Sequence, residues 1–190
     1  RNDDKRELWI YREGIYVPDG ASYLQEHCRQ ACGDAFTTET FHTVLAKVTA
    51  DNFISADDFF LKDEAINDIV PVQNGLLNLK EKSIEPFTPE KIFFDKLPVT
   101  YDTEATCPKI KKFFTDVLKN GESEQQLIAE LFGWILKGRY YPAKIVVCDG
   151  VGRNGKGVFF RLIKAFLGEK ACAAIKFETL TKDNFASSEL

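Results

Sequence analysis

The residues with the clearest chemical potential lie in the segment 150–157, which reads Gly-Val-Gly-Arg-Asn-Gly-Lys-Gly. The segment fits the G-x-x-x-x-G-K pattern of phosphate-binding loops through Lys156. Glycines let successive backbone N–H groups turn inward around an anion, and a following helix adds its positive N-terminal end. We therefore predict that the segment binds ATP and that Lys156 reaches the β- and γ-phosphates.

The predicted nucleotide site is one continuous stretch of chain. Lys156 is the candidate catalytic residue, and the cofactor-binding residues are Gly150, Val151, Gly152, Arg153, Asn154, Gly155, Lys156, Gly157 and Val158. The alternative is a glycine-rich turn between a strand and a helix that binds nothing. It does not explain a lysine at a helix start, where the helix dipole disfavours cations. For Arg153, a phosphate contact and a solvent-facing role are equally open.

Gly157 departs from the pattern at the position that handles magnesium. Ser or Thr normally follows the lysine, and its hydroxyl binds Mg²⁺. With glycine there, Mg²⁺ would be held by phosphates, waters and an acidic residue alone. No acidic residue ends a second apolar run, and we expect Glu178, Asp183 and Glu189 to be solvated charges. No arginine finger can be assigned, because Arg161 is expected on a helix surface.

The segments on either side of the loop predict the strand–loop–helix arrangement that such a site requires. Residues 144–148 form a continuous apolar run after the lysine, typical of a buried parallel strand. Residues 158–167 predict a helix that ends at Gly168. The residues of this helix expected to face inward are Leu162, Ile163 and Phe166.

Two hairpins and two helices are predicted in the first half of the chain. Residues 8–11 and 15–17 flank the turn 12–14, and residues 69–72 and 76–79 flank the turn 73–75. The second turn contains Asn-Gly, a strong signal because both residues tolerate positive φ. Helices are expected over residues 21–32, which Gly33 ends, and 37–50. The second helix would bury Phe41, Val44, Leu45 and Val48.

Two further helices are predicted before the loop. Pro108 suits the first turn of a helix whose apolar stripe comprises Ile110, Phe113, Phe114, Val117 and Leu118. Ser123 and Gln126 have the spacing of a capping box for the next helix, which Gly138 would end. That helix is expected to bury Leu127, Ile128, Leu131, Phe132 and Ile135.

Composition and charge restrict the class of protein. The chain is 44% hydrophobic and 28% charged, which is typical of a globular protein, and no apolar run approaches the ~18 residues of a membrane span. Residues 133–190 hold ten Lys/Arg and five Asp/Glu, a net charge of +5, and the rest holds fifteen and twenty-four, a net charge of −9. The acidic part is by itself a poor surface for DNA.

Cysteine content and the first residue add two expectations. The five cysteines are odd in number and scattered, which favours reduced thiols in a cytoplasm over a disulfide framework. The chain begins at Arg1 and contains no methionine, so we expect a fragment or a sequence that has lost its methionines.

Weaker candidates have ordinary structural explanations. His27, Cys28 and Cys32 suggest zinc, but a second ligand pair is missing and one helix face explains them. His42 is expected to pack or to face solvent. The lysines at 109, 111 and 112 suggest a solvated helix face, with a DNA contact as the alternative. Trp9 and Tyr11 have the chemistry to stack on a base, but packing in the hairpin is the preferred interpretation.

The chain resembles the C-terminal region of phage and plasmid primases through several motifs in order. Residues 72–79 (Val-Gln-Asn-Gly-Leu-Leu-Asn-Leu) look like that family's Asn-Gly segment, and residues 97–102 continue the pattern. Cys107-Pro108, Phe113-Phe114 and residues 130–134 (Glu-Leu-Phe-Gly-Trp) follow in the same order. Asn154-Gly155-Lys156 is the superfamily 3 helicase form of the loop. Residues 185–190 resemble the stretch shortly before that family's Walker B acid.

The resemblance implies a two-part architecture. Residues 1–135 resemble the domain that precedes the helicase in poxvirus-type primase-helicases, and residues 136–190 resemble the start of a superfamily 3 ATPase domain. The expected fold is an α+β N-terminal domain, mainly helical with short hairpins. The truncated start of an α/β P-loop NTPase core would follow it.

The resemblance also implies a function. Such proteins form rings, hydrolyse ATP with Mg²⁺ and unwind DNA, which here would mean replication of a phage, virus or plasmid-like element in a host cytoplasm. The positions that carry over are Gly150, Asn154, Gly155 and Lys156. Two alternatives stay open: another P-loop enzyme, such as a small-molecule kinase, and a non-catalytic assembly or interaction module with a degenerate loop.

Overall fold

The computed structural model describes residues 7–54, 68–119, 121–137 and 144–176. These residues form five α-helices and two small antiparallel sheets, a mixed α and β fold. They divide into two compact units, one within Arg1–Pro71 and Gly75–Lys96 and one within Val72–Asn74 and Leu97–Leu190. Across the described ranges, no helix combines the length and the apolar character needed to cross a bilayer.

The first unit begins with the predicted hairpin. Strand β1 (Ile10–Arg12) pairs antiparallel with β2 (Ile15–Val17), with Tyr11 opposite Tyr16. Glu13 and Gly14 both have positive φ, at 48° and 91°, which matches the twist of a two-residue hairpin turn. The hairpin prediction is confirmed, except that Arg12 belongs to the strand and not to the turn.

A loop that the sequence did not predict packs along this hairpin. The backbone N–H of Tyr16 donates to the carbonyl of Phe93 over 2.7 Å, and its hydroxyl donates to the carbonyl of Pro89 over 2.8 Å. Burial raises the pKa of Tyr16. Lys96 donates to the carbonyl of Glu13 over 3.0 Å. These bonds join segments about 70 to 80 residues apart in sequence.

Both predicted helices of the first unit are present, each within one residue of the expected bounds. Helix α1 (Gly20–Cys32) ends at Gly33, whose φ is 52°, and the 3-10 helix Gly33–Ala35 follows it. Hydrogen bonds from Arg29 and Gln30 lower the pKa of Glu26, on the same helix, to about 2. Helix α2 (Thr38–Asp51) is capped by Thr37, whose hydroxyl accepts from the N–H of Thr40 over 3.1 Å. Phe41 is buried and Val44, Leu45 and Val48 are half-buried.

The second sheet has strand order β3 (Ile69–Val72), β4 (Gly75–Asn78) and β5 (Ser83–Glu85). Val72 and Leu76 are each 1% exposed, the most buried large side chains of the described residues. The predicted hairpin between β3 and β4 is confirmed, except that Gly75 belongs to the strand and not to the turn. Strand β5 was not predicted, because three residues reading Ser-Ile-Glu carry too short a pattern.

The hairpin between β3 and β4 uses Asn74 differently from the prediction. Gly75 has a positive φ of 151° but is already the first residue of β4, and the two turn residues, Gln73 and Asn74, do not have positive φ. Instead, the Asn74 carboxamide bonds the backbone of Tyr101 in both directions. Nδ2 donates to the carbonyl over 2.9 Å, and Oδ1 accepts from the N–H over 3.0 Å. Asn74 therefore anchors the loop that leads to the next helix.

The second unit contains helices α3 (Pro108–Val117), α4 (Glu122–Leu136) and α5 (Lys156–Leu167), and the 3-10 helix Glu169–Ala171 follows α5. Pro108 opens α3 as predicted, and Gly168 ends α5 with a φ of 92°. Edge-to-face aromatic pairs join the three helices. The rings that form them are Phe114, Phe132, Phe159 and Phe166, with centroids 5.0 to 6.3 Å apart.

The predicted start of α4 is wrong. Gly121, with a φ of 59°, is the N-cap, so the helix begins at Glu122 and Ser123 already lies inside its first turn. Ser123 and Gln126 therefore form no capping box. The Glu124 carboxylate instead accepts from the backbone N–H of Lys119 over 2.9 Å. Leu127, which we expected to be buried, is 63% exposed. Gly138, the predicted end, lies outside the described residues.

The predicted strand over residues 144–148 is also wrong for the part of the chain that the structure describes. These residues have no regular secondary structure, and Ile145 and Val147 are 93% and 82% exposed. A parallel strand forms only against a neighbouring strand, and none of the described segments pairs with this one. The expected opening of an α/β core is therefore not seen.

Candidate phosphate-binding site

The loop before α5 has the backbone conformation of a tight glycine-rich turn. Gly150, Arg153 and Gly155 have positive φ, at 152°, 61° and 88°. Gly155 is the N-cap of α5, and its carbonyl accepts from the N–H groups of Val158 and Phe159 over 2.9 and 3.0 Å. The first N–H groups of a helix have no acceptor within it, so the start of α5 offers donors to an anion.

The side chain of Lys156 folds back over this loop. Its ammonium donates to the Gly150 carbonyl and to Oδ1 of Asn154, the second over 3.0 Å. Lys156 is the first residue of α5, so the positive charge lies beside the helix end whose N–H groups also attract anions. The structure thus brings together Gly150, Asn154, Gly155 and Lys156, the four positions that the family resemblance carries over to this chain.

Two glycines of the loop combine positive φ with close neighbours. A Cβ at Gly150 would collide with Nδ2 of Asn154. A Cβ at Gly155 would lie 3.0 Å from Cγ1 of Val117 and 3.2 Å from ring atoms of Phe113. Because Val117 and Phe113 belong to α3, that helix packs against the loop at Gly155. The sequence did not indicate this support.

Gly157 and Gly152 are different, because a Cβ at either position would meet nothing within 4 Å. Gly157 therefore offers neither a hydroxyl for Mg²⁺ nor a packing reason for lacking one. Within the described ranges, no group of three or more His, Cys, Asp or Glu residues could hold a metal ion. Gly157 thus supplies no side-chain ligand for a Mg²⁺ bound with the nucleotide.

The remaining predicted site residues lie at the surface of the loop. Val151, Arg153 and Val158 are exposed. The acidic candidates Glu178, Asp183 and Glu189, and the motif-like segment 185–190, lie outside the described residues.

One structural residue near the site was missed by sequence reasoning. Phe159, the buried anchor of α5, is 9% exposed and contacts Phe114 and Phe132. Its spacing to Leu162, Ile163 and Phe166 is i, i+3, i+4 and i+7, so the helical pattern contained the signal.

The weaker candidates have local partners. The Trp9 ring packs edge-to-face on Phe94 with centroids 4.7 Å apart, and the Tyr11 ring is tilted against Tyr16 with centroids 5.3 Å apart. His27 packs on Tyr23 at 4.2 Å, next to Cys28 on α1. The lysines at 109, 111 and 112 are exposed on α3, and the last pairs with an aspartate one turn later over 3.1 Å.

Comparison with known proteins identifies the family of this chain. Residues 3–119, more than half of the chain, match the family described as D5 N terminal like. The chain therefore belongs to this family, the N-terminal domain of D5-like primase-helicases. No curated protein matches the chain. At family level the match connects the chain to phage and viral primase-helicases and to DNA replication. The loop at 150–157 lies beyond the matched residues.

Proposed function

We propose that the loop at 150–157 binds the triphosphate of ATP and that the chain acts within a primase-helicase that unwinds DNA during replication of a phage, virus or plasmid-like element. The observation that carries the proposal is the Lys156 ammonium, which turns back over the loop towards Gly150 and Asn154 at the start of α5. A cation and helix N–H donors around one turn suit a polyphosphate.

The proposed roles of the loop residues follow from the hydrogen-bond donors that each offers to a phosphate. Backbone N–H groups at the start of α5 would bind phosphate oxygens, and Lys156 would neutralise charge between the β- and γ-phosphates. Gly155 lets the chain turn into the helix with its φ of 88°. When bound, Mg²⁺ would neutralise further phosphate charge, and the described residues supply no ligand for it at position 157.

The wider assignment is part of the proposal. Members of this family act in DNA replication, so we propose DNA as a partner, further copies of the chain in a ring, and the host cytoplasm as the place of action. Residues 1–132 have a net charge of −9, which disfavours direct contact between this part of the chain and DNA. A role in assembly or in coupling to a primase is therefore proposed for it.

Substitution of Lys156 tests the phosphate role. We expect Lys156→Ala to weaken ATP binding by about tenfold to a hundredfold, because it removes a charge-assisted contact to phosphate. Isothermal titration calorimetry of the 190-residue chain with ATP measures the change. Lys164→Ala is the matched control, since Lys164 is exposed on the same helix two turns later. Equal affinity of wild type and Lys156→Ala would refute the phosphate role.

A second candidate function is a non-catalytic assembly module whose loop no longer handles magnesium. Gly157 favours it, because its position lacks the hydroxyl that holds Mg²⁺. A Cβ there would meet no neighbour within 4 Å, so the position has room for serine. We expect Gly157→Ser to make ATP binding about tenfold tighter with Mg²⁺ than with EDTA, whereas the wild type changes little.

The comparison needs Gly157→Ala as its control, since alanine changes the backbone freedom but adds no ligand. Strong magnesium dependence in the wild type itself would contradict the assembly-module reading. ATP hydrolysis stimulated by single-stranded DNA would support the helicase.

A further inference from the structure

Asn154 is the one side chain, among the described residues, that bonds the Lys156 ammonium. Oδ1 of Asn154 accepts from Nζ over 3.0 Å, and the Gly150 carbonyl is the second acceptor. We infer that Asn154 is a positioning residue, which holds the lysine ammonium over the loop where a phosphate would meet it. The inference rests on the proposed phosphate-binding function and deepens it.

The orientation of the Asn154 carboxamide is set by chemistry. An ammonium only donates, so the carboxamide must turn its oxygen to Lys156 and its Nδ2 away. In that orientation Nδ2 lies against Gly150, where an added Cβ would collide with it. Gly150 therefore makes room for Asn154, and Asn154 fixes Lys156. The three residues form one interlocked unit.

Asn154 is uncharged, and this matters for phosphate binding as much as its position does. An ammonium has three N–H donors, and the two bonds leave one for a phosphate oxygen. A carboxylate in the same place would pair with the ammonium and repel the incoming phosphate. An alanine would release a long side chain, whose ordering would then oppose binding. An amide holds the lysine without competing for its charge.

Substitution at 154 separates these effects. With inorganic triphosphate and with ATP as probes, we expect Asn154→Ala to weaken binding about tenfold, because the released Lys156 side chain must then be ordered on binding. Asn154→Asp should weaken it further, because it adds a negative charge beside the phosphates. Asn154 is half-buried in a loop and lies outside the aromatic packing between the helices, so thermal unfolding should stay close to that of the wild type.

The second readout needs no ligand. In ¹⁵N NMR of the lysine ammonium groups, the Lys156 signal is identified by its loss in Lys156→Ala. We expect its hydrogens to exchange with water more slowly than those of the exposed Lys164. Asn154→Ala should remove this protection. A purely structural role for Asn154 would leave the exchange of the Lys156 ammonium unchanged.

The outcomes distinguish the two claims. Wild-type affinity and wild-type exchange in Asn154→Ala, together with weak binding by Lys156→Ala, would overturn the positioning role and leave the phosphate site intact. Wild-type affinity in Lys156→Ala would overturn the phosphate site itself. Weaker binding and faster exchange in Asn154→Ala would support the inference.

Discussion

Replacing Phe159 with alanine is expected to lower the free energy of unfolding by about 3 kcal/mol, the low end of the range for a buried aromatic residue. Phe159 is 9% exposed, and its ring lies 6.3 Å from those of Phe114 and Phe132 on two other helices. The substitution leaves a cavity at the point where α3, α4 and α5 meet. Urea unfolding followed by circular dichroism measures the loss.

Phe160→Ala is the matched control for that experiment. Phe160 is the next residue of the same helix and is 52% exposed. Its removal should cost about 1 kcal/mol or less, since exposed side chains contribute little. If both variants lost the same stability, Phe159 would not be the residue that anchors α5 to its neighbours.

The Phe159→Ala substitution also tests whether packing of the helices affects the loop. Lys156 is one turn before Phe159 on α5, so a helix that loses its anchor would present the lysine less precisely. We therefore attribute part of the order of the proposed phosphate site to the packing of Phe159.

Helices and hairpins were predictable wherever a local signal was strong. Helix α1 follows from a glycine stop at Gly33, and α5 from the spacing of Leu162, Ile163 and Phe166. The first hairpin follows from a glycine turn between apolar runs. Each of these signals lies within a few residues of the element it defines, so no knowledge of distant contacts was needed.

Features that depend on distant partners were not predictable in the same way. The apolar run at 144–148 has the composition of a buried strand, yet a strand also needs a neighbour, which composition does not supply. The bond from Asn74 to Tyr101 spans 27 residues, and no local pattern encodes it. The capping box predicted at Ser123 was wrong because the helix begins at Glu122, with Gly121 as its N-cap.

The candidate site was predictable in residue identity but not in geometry. The spacing of the motif named Gly150, Gly155 and Lys156, and the family resemblance added Asn154. It did not reveal that the Asn154 carboxamide bonds the lysine or that Gly155 packs against α3. A pattern of residue types states which groups are present, and side-chain orientation has to come from the folded structure.

Gly155→Val should destabilise the chain by about 3 kcal/mol and abolish triphosphate binding. Two effects combine here: left-handed backbone costs a β-branched residue about 1–2 kcal/mol, and overpacking costs about as much again. Gly155 has a φ of 88°, and its Cβ would lie 3.0 Å from Val117 and 3.2 Å from Phe113. Thermal or urea unfolding gives the stability, and calorimetry with inorganic triphosphate gives the binding.

Gly157→Ala is the control, and its effect should have the opposite sign. Gly157 lies inside the first turn of α5, does not have positive φ and has open space around its Cα. Alanine there should stabilise the chain by about 0.5–1 kcal/mol, because it reduces the freedom of the unfolded chain. Gly155 and Gly157 are two residues apart, but only Gly155 has a backbone conformation and close neighbours that favour glycine. A stable Gly155→Val variant that still binds triphosphate would show that the turn before α5 does not depend on glycine.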